Sequence, residues 1–168
     1  MTEPAPPPAN ALARAGARLL RNRTLMRAPI WLFRARLGFL LGSRLLMLEH
    51  VGRRTGARRR VVLEVIGHPS PDVYLVASGF GTRSQWFRNL EAHPGARISA
   101  ARHRSVPVIA RRLSTEEAAV VLTGYARRHA RAWARLKGAV ETTLGAEIDV
   151  RDPALPVVEL RLTPPRAP

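Results

Sequence analysis

The sequence predicts an α+β domain, mainly β: a small, mostly antiparallel barrel with helices at its N-terminus and a helix before its last strand. Three observations predict it. Five or six short stretches rich in Val, Ile and Leu follow one another between residues 44 and 162. Glycine- and proline-bearing turns separate most of them, as in neighbouring antiparallel strands. Only two helical patterns interrupt the series, too few to cover both faces of an open sheet, so closure is the natural way to bury the strands. At 168 residues the chain has the size of one domain with a sizeable core.

Residues 1–10 carry four prolines and no apolar pattern and are expected to be a disordered leader. No unbroken apolar run follows a basic start, so they do not read as a secretory signal. Residues 11–42 are expected to form N-terminal helices: Leu12, Leu19 and Leu20 share one face, Arg14, Arg18 and Arg21 another, and Pro29 opens a second helix. Arg34 and Arg36 interrupt that second helix, which argues against a membrane span. The barrel is assigned to residues 43–165.

Within it, Arg44 to Val51 is the first strand, followed by a glycine-bounded turn at 52–56. Arg59 to Ile66 is the second strand, and His68 to Asp72 is read as a turn. Val73 to Ser78 is a third, buried strand, and Ser84 to Ala92 a short helix stopped before Pro94. Arg97–Ala101 and Ser105–Leu113 form a candidate hairpin, with Pro107 placing the latter at an edge or a bulge. Ser114 to Glu117 reads as a capping box opening one helix, with Ala118, Val121, Leu122, Tyr125, Ala132, Trp133 and Leu136 on its apolar stripe. Gly138 to Pro156 is poorly patterned, and Leu155 to Leu162 is the closing strand.

Composition narrows the chemistry. There is no cysteine, which excludes disulfides and thiol catalysis. The five histidines show no paired ligand spacing, so no metal is expected. Against 12 acidic residues stand 28 basic ones, giving a net charge of +16. Such an excess implies an anionic partner: a phosphorylated cofactor, a membrane surface or nucleic acid. Nucleic acid is disfavoured, because there is no recognition motif and aromatics are 5% of residues. Contact with an anionic membrane surface through residues 11–41 is compatible with the basic helix there.

Three segments read together as one site. Gly52-Arg53-Arg54-Thr55-Gly56, with Arg59 beyond it, is a basic turn. Its glycines allow unusual backbone angles, its exposed N–H groups can form an anion nest, and its guanidinia can add bidentate contacts. The spacing does not match a triphosphate-binding P-loop. Ser78 ends a strand and can donate to a ring carbonyl. Trp86 and Asn89 share a helical face; the tryptophan either covers a ring or packs in the core. No serine–histidine–acid set is discernible, so a proton would come from Ser78, Tyr125, Tyr74, a histidine or water.

Gly52-Arg-Arg-Thr-Gly56, Arg59-Arg-Val-Val-Leu63, Val76-Ala-Ser78, Trp86-x-x-Asn89-Leu90 and His93-Pro94 together resemble the deazaflavin-dependent nitroreductase family, whose members are coenzyme F420-dependent reductases with an FMN-binding-like split β-barrel. The resemblance spans about residues 44–125, with a closing strand near 156–163. It implies that Arg53, Arg54, Thr55 and Arg59 hold the anionic arm of F420. It further implies that Val61, Val62 and Leu63 lie along the ring, that Ala77, Ser78 and Gly79 meet its edge, and that Gln85, Trp86, Phe87, Arg88 and Asn89 complete the pocket. FMN is the alternative cofactor. The implied reaction is hydride transfer to a small electron-poor acceptor such as a quinone, enone or nitro compound, with Ser78 and Tyr125 as the candidate catalytic residues. The expected setting is the cytoplasm, with a peripheral place at the inner membrane face through residues 11–41 as one option and a homodimer as one assembly. Alternatives on the same frame are a non-catalytic F420 or flavin carrier and a basic peripheral membrane protein. Departures from the family pattern are Val62 where proline is frequent, a short Ser78–Trp86 segment, no tyrosine-rich stretch on the acceptor side, and a longer 138–156 segment.

Overall fold

The structure is a computed structural model that describes residues 44–100, 103–144 and 155–163. The expected leader and N-terminal helices, and with them the membrane-lying surface, fall outside the described residues. Six strands form one closed antiparallel barrel: β1 (Leu45–Val51), β2 (Arg58–Ser70), β3 (Val73–Ala77), β4 (Gly95–Ala100), β5 (His103–Arg112) and β6 (Val157–Leu162). Their order around the barrel is β1-β2-β3-β6-β5-β4, with β4 closing on β1.

Alternation along the strands builds the interior. In β1, Leu46, Leu48 and His50 are buried while their neighbours are half-buried, the period-two signature of a strand with one face inward. Leu46 pairs with Leu63 and Leu48 with Val61, so those β2 residues share the inner face. Ala96, Ile98 and Ala100 of β4, Val108 of β5 and Leu160 of β6 complete the lining. A short helix, α1 (Gln85–Ala92), plugs the barrel with Trp86, Phe87 and Leu90.

A second core lies outside the wall. There α2 (Thr115–Arg128) covers β2 and β3, packing Ala118, Leu122 and Tyr125 against Ile66, Val73 and Leu75. The capping box at its start is as read: Ser114 Oγ accepts from Glu117 N at 3.2 Å, and Glu117 Oε2 accepts from Ser114 N at 2.8 Å.

Four details differ from the sequence reading. β2 runs on to Ser70, so the turn shrinks to Pro71-Asp72; pairing of Ser70 with Val73 holds the extra residues. β5 is not an edge strand, since it pairs with both β4 and β6, but the alternative expectation of a bulge holds: its ladder with β4 shifts register between Ile98 and Ala100. Pro107 sits where the β6 ladder ends, its carbonyl accepting from Thr163 N at 3.1 Å. The single helix expected after Ser114 breaks at His129, whose backbone is non-helical, and resumes as α3 (Ala130–Leu144). That second helix occupies part of the stretch read as unpatterned. No glycine or proline marks the break, so periodicity could not locate it.

One feature of the barrel sets up the site. β2 is 13 residues long, but β3 pairs with it only from Val65 onward. Opposite β1, the stretch from Arg58 to Leu63 therefore has no strand partner among the described residues, and its backbone groups there stay open.

Candidate functional site

The basic turn and α1 meet at the end of the barrel beside this open edge. Gly52, Arg53, Arg54, Thr55, Arg59, Gln85 and Asn89 enclose a cavity of about 160 Å³. Two segments more than 30 residues apart are thus brought together, as the sequence led us to expect.

Local chemistry shapes the turn. Gly56 sits at φ +65°, a conformation costly for any residue with a Cβ. A Cβ on Gly52 would lie 2.9 Å from Arg59 Nε, so glycine lets that guanidinium fold close over the turn. Most of its backbone N–H groups, however, are already bonded. Gly52 N donates to Ala57 O at 2.8 Å, Gly56 N to Gly52 O at 2.8 Å and Thr55 N to Gly52 O at 3.3 Å. Ala57 N donates to Thr55 Oγ1 at 3.4 Å, and Arg53 N to Asn89 Oδ1 at 3.1 Å. Among the described residues Arg54 N is the one N–H of the turn left without a partner, so its attraction for anions resides mainly in the arginine side chains.

Those side chains divide in two. Arg58 and Arg60, on the outer face, share Glu49 at 3.6 and 2.7 Å. Arg53, Arg54 and Arg59, which line the cavity, have no carboxylate partner among the described residues. Arg53 is held by neutral amides instead: its Nη1 donates to Gln85 Oε1 at 3.0 Å and to Asn89 Oδ1 at 3.1 Å. The cavity has three positive charges and no negative one in its wall.

Asn89 and His50 connect the turn to the core. Both are buried, and Asn89 Nδ2 lies 3.2 Å from His50 Nδ1. Burial, opposed by the Val51 carbonyl and reinforced by the Arg59 charge, holds the His50 imidazole below its ordinary value of 6.5.

Other expected residues fall elsewhere. Trp86 is only 8% exposed and meets Phe87 edge-on at 6.1 Å within the barrel core, so it is a plug and not a lid over a ring. The i, i+3 spacing with Asn89 was right, but the shared face turns toward the barrel. Phe87 is buried too, beneath Arg112 at 5.6 Å, and Arg88 donates to Thr82 O at 2.9 Å. Val61 and Leu63 face the interior, so of the three residues expected along the ring only Val62 faces outward.

Ser78 is fully buried, and its hydroxyl donates to Gly81 O at 2.7 Å. It ties down the 3₁₀ turn at Gly81–Arg83 and does not offer a free donor. Ala77 and Gly79 flank it, half-buried. Tyr125 lies under α2 in the second core, donating to Glu64 Oε1 at 2.7 Å, with Arg44 on the same carboxylate oxygen at 2.7 Å. Burial, aided by Glu64, pushes its phenol up to about 12. Neither Ser78 nor Tyr125 lines the arginine cavity.

Sequence reading missed two residues. His50 looked like one of five unpaired histidines; its place in a strand of alternating burial was the available signal. Ser84 Oγ is buried without a hydrogen-bond partner among the described residues just ahead of α1, and only its position before a helical run could have pointed to it. A second, larger cavity of about 580 Å³ lies further along β2, between Val65–Pro69 and the α2 residues Val120, Val121, Gly124 and Arg128, with Arg44, Leu75 and His129 at its margin. Among the described residues no group of His, Asp and Glu side chains is placed to hold a metal, and no helix is long and apolar enough to cross a membrane.

Comparison with known proteins adds the following. A model of the family described as F420H(2)-dependent quinone reductase matches residues 26–149. Against curated protein sequences, no match was found. The fold is similar to that of a protein of unknown function from Agrobacterium tumefaciens, at 15% identity and a TM-score of 0.52, covering 81% of this chain and 55% of that one. It is also similar to HutZ, a heme storage protein from Vibrio cholerae, at 14% identity and a TM-score of 0.50, covering 80% and 92%. An F420-H2 dependent reductase (FDR-A) aligns at 16% identity and a TM-score of 0.48, covering 70% and 94%. A pyridoxamine 5'-phosphate oxidase-related, FMN-binding protein from Nostoc punctiforme aligns at 18% identity and a TM-score of 0.46, covering 94% and 81%.

Proposed function

Since the chain belongs to the F420H(2)-dependent quinone reductase family, oxidoreductases that use coenzyme F420, we propose that the arginine cavity and the open edge of β2 together bind F420 and present it to a quinone-type acceptor. When bound, the reduced cofactor supplies a hydride; the protein supplies binding, orientation and exclusion of water.

The observation that carries this reading is the set Arg53, Arg54 and Arg59 around one cavity with no acidic residue in its wall. At about 160 Å³ the cavity suits a phosphate or carboxylate head and is too small for a fused ring system. The ring belongs outside it, where Arg58 to Leu63 leave backbone donors and acceptors unpaired and Val62 faces outward. Of Ala77 to Gly79, the half-buried Ala77 and Gly79 are the parts left to meet the ring edge, since Ser78 is buried and bonded to Gly81 O. Gln85 and Asn89 support the arrangement from α1 by docking Arg53. Trp86, Phe87 and Arg88 support it indirectly, by fixing α1 in the barrel mouth.

The larger cavity suits the acceptor. Its Val65, Leu75, Val120 and Val121 walls match an apolar ring or tail, and Arg44, His68, Arg128 and His129 can donate to carbonyl oxygens. Neither Ser78 nor Tyr125 is free to deliver the accompanying proton, so one of these imidazoles or solvent does so.

The test is binding of the full chain to F420 and to FMN, with Arg54→Glu as control. F420 should bind more tightly, and the charge reversal should weaken it by about a hundredfold, the effect of turning a charge-assisted contact into a repulsion. Preference for FMN, or indifference to the substitution, would refute the site. Bound F420H2 that no quinone or enone oxidises would leave a carrier and not a reductase.

A further inference from the structure

The geometry points to His50 as a positioning residue for the anion site: its unprotonated Nδ1 fixes the amide orientation of Asn89, and that orientation docks Arg53. The donors and acceptors of this chain admit one assignment. Arg53 N and Arg53 Nη1 can only donate, and both lie 3.1 Å from the same Asn89 atom. That atom is therefore the oxygen, Oδ1. The other end, Nδ2, can only donate, and it faces His50 Nδ1 at 3.2 Å. Nδ1 must then be the accepting nitrogen, and the ring proton sits on Nε2.

Protonating His50 breaks this order. Nδ1–H would face Nδ2–H, donor against donor. Rotating the Asn89 amide would restore that bond but turn Nδ2 toward Arg53 N–H and its guanidinium. Either way one junction is lost, and the turn loosens from α1. Both groups are buried, so water cannot easily replace the missing partner.

The charges around His50 favour the neutral form. From β2, Arg59 stands opposite it in register. On its other side, Glu49, Arg58 and Arg97 share a cavity with it, but Glu49 is already paired with Arg58 and Arg60. From α1 it meets the neutral Asn89, with the Arg53 guanidinium just beyond. The surroundings are thus net cationic, in keeping with an imidazole held below its ordinary value.

The first test needs no cofactor. Long-range ¹H–¹⁵N spectra of the ligand-free full chain should show His50 as the Nε2–H tautomer at neutral pH. On acidification, the Arg53 backbone amide and the Asn89 side-chain amide should shift with the midpoint of His50. An Nδ1–H tautomer, or an Arg53 amide that ignores the His50 titration, would overturn the inference. The second test rests on the cofactor reading. Affinity for F420 should fall about tenfold across that same midpoint, and His50→Gln, which offers an accepting oxygen at every pH, should flatten the profile. An undiminished pH step in His50→Gln would count against the role of His50. Spectra as expected with no F420 binding would sink the cofactor assignment and leave the positioning role standing.

Discussion

Replacing Asn89 by Leu, a residue of similar volume, removes the polar bridge between the turn and α1 while keeping the helix. Three hydrogen bonds go with it: two from Arg53 and one to His50. Their losses are unequal. The Arg53 guanidinium keeps Gln85 Oε1 at 3.0 Å and reaches water, so its share is small. The Arg53 N–H and His50 Nδ1 are left at least partly buried without a partner, at about 1–3 kcal/mol each. Burying the leucine side chain returns roughly 1–2 kcal/mol. The net destabilisation is about 2–3 kcal/mol, which for a chain of this size lowers Tm by roughly 5–10 °C. Urea and thermal unfolding of the full chain measure it, and F420 binding should weaken in parallel. Asn89→Asp sharpens the test, because a carboxylate still accepts from Arg53 but cannot donate to His50. It should lose less stability than Asn89→Leu and recover further as pH falls and His50 becomes a donor. A loss below about 0.5 kcal/mol for Asn89→Leu, within the range of ordinary surface changes, would refute the bridge.

Trp86→Leu should cost about 2–4 kcal/mol of stability, as large-to-small core changes do. F420 affinity at a temperature where the variant stays folded should be within about threefold of wild type, since a plug that leaves α1 in place does not touch the ring; isothermal calorimetry distinguishes this from the much larger loss expected of a lid. Tyr125→Phe should cost about 1 kcal/mol, below the usual value for a bond to a charged group, because Glu64 keeps Arg44 at 2.7 Å. Its turnover with F420H2 and a quinone should fall by less than about threefold, whereas loss of a true proton donor costs about a hundredfold or more. Stability should also depend on His50. Its folded-state pKa lies below the 6.5 of the unfolded chain, so the unfolded form takes up the proton first. The contribution of neutral His50 is full above pH 6.5 and is lost as pH falls through the folded value. Denaturant midpoints between pH 5 and 7.5 should show this slope in wild type and a shallower one in His50→Gln.

The sequence by itself determined the strand series, the capping box at Ser114 and the glycine turn at 52–56. Each is written in a local pattern: alternation, a cap, a pair of bounding glycines. Its ordered motifs were also enough to suggest the cofactor class. Only the tertiary structure decided what each polar and aromatic group faces. Whether Trp86 covers a ligand or plugs a barrel depends on how α1 rolls once the strands close, and both outcomes share one helical spacing. Whether the Arg53 N–H is open or spent depends on an amide 36 residues away. The unpaired half of β2 likewise follows from how short its neighbour β3 is, a property of the closed sheet and not of any window of residues. Most of all, the polarity of the His50–Asn89–Arg53 chain is set by which donors meet which acceptors across the barrel mouth, and no composition or period records that.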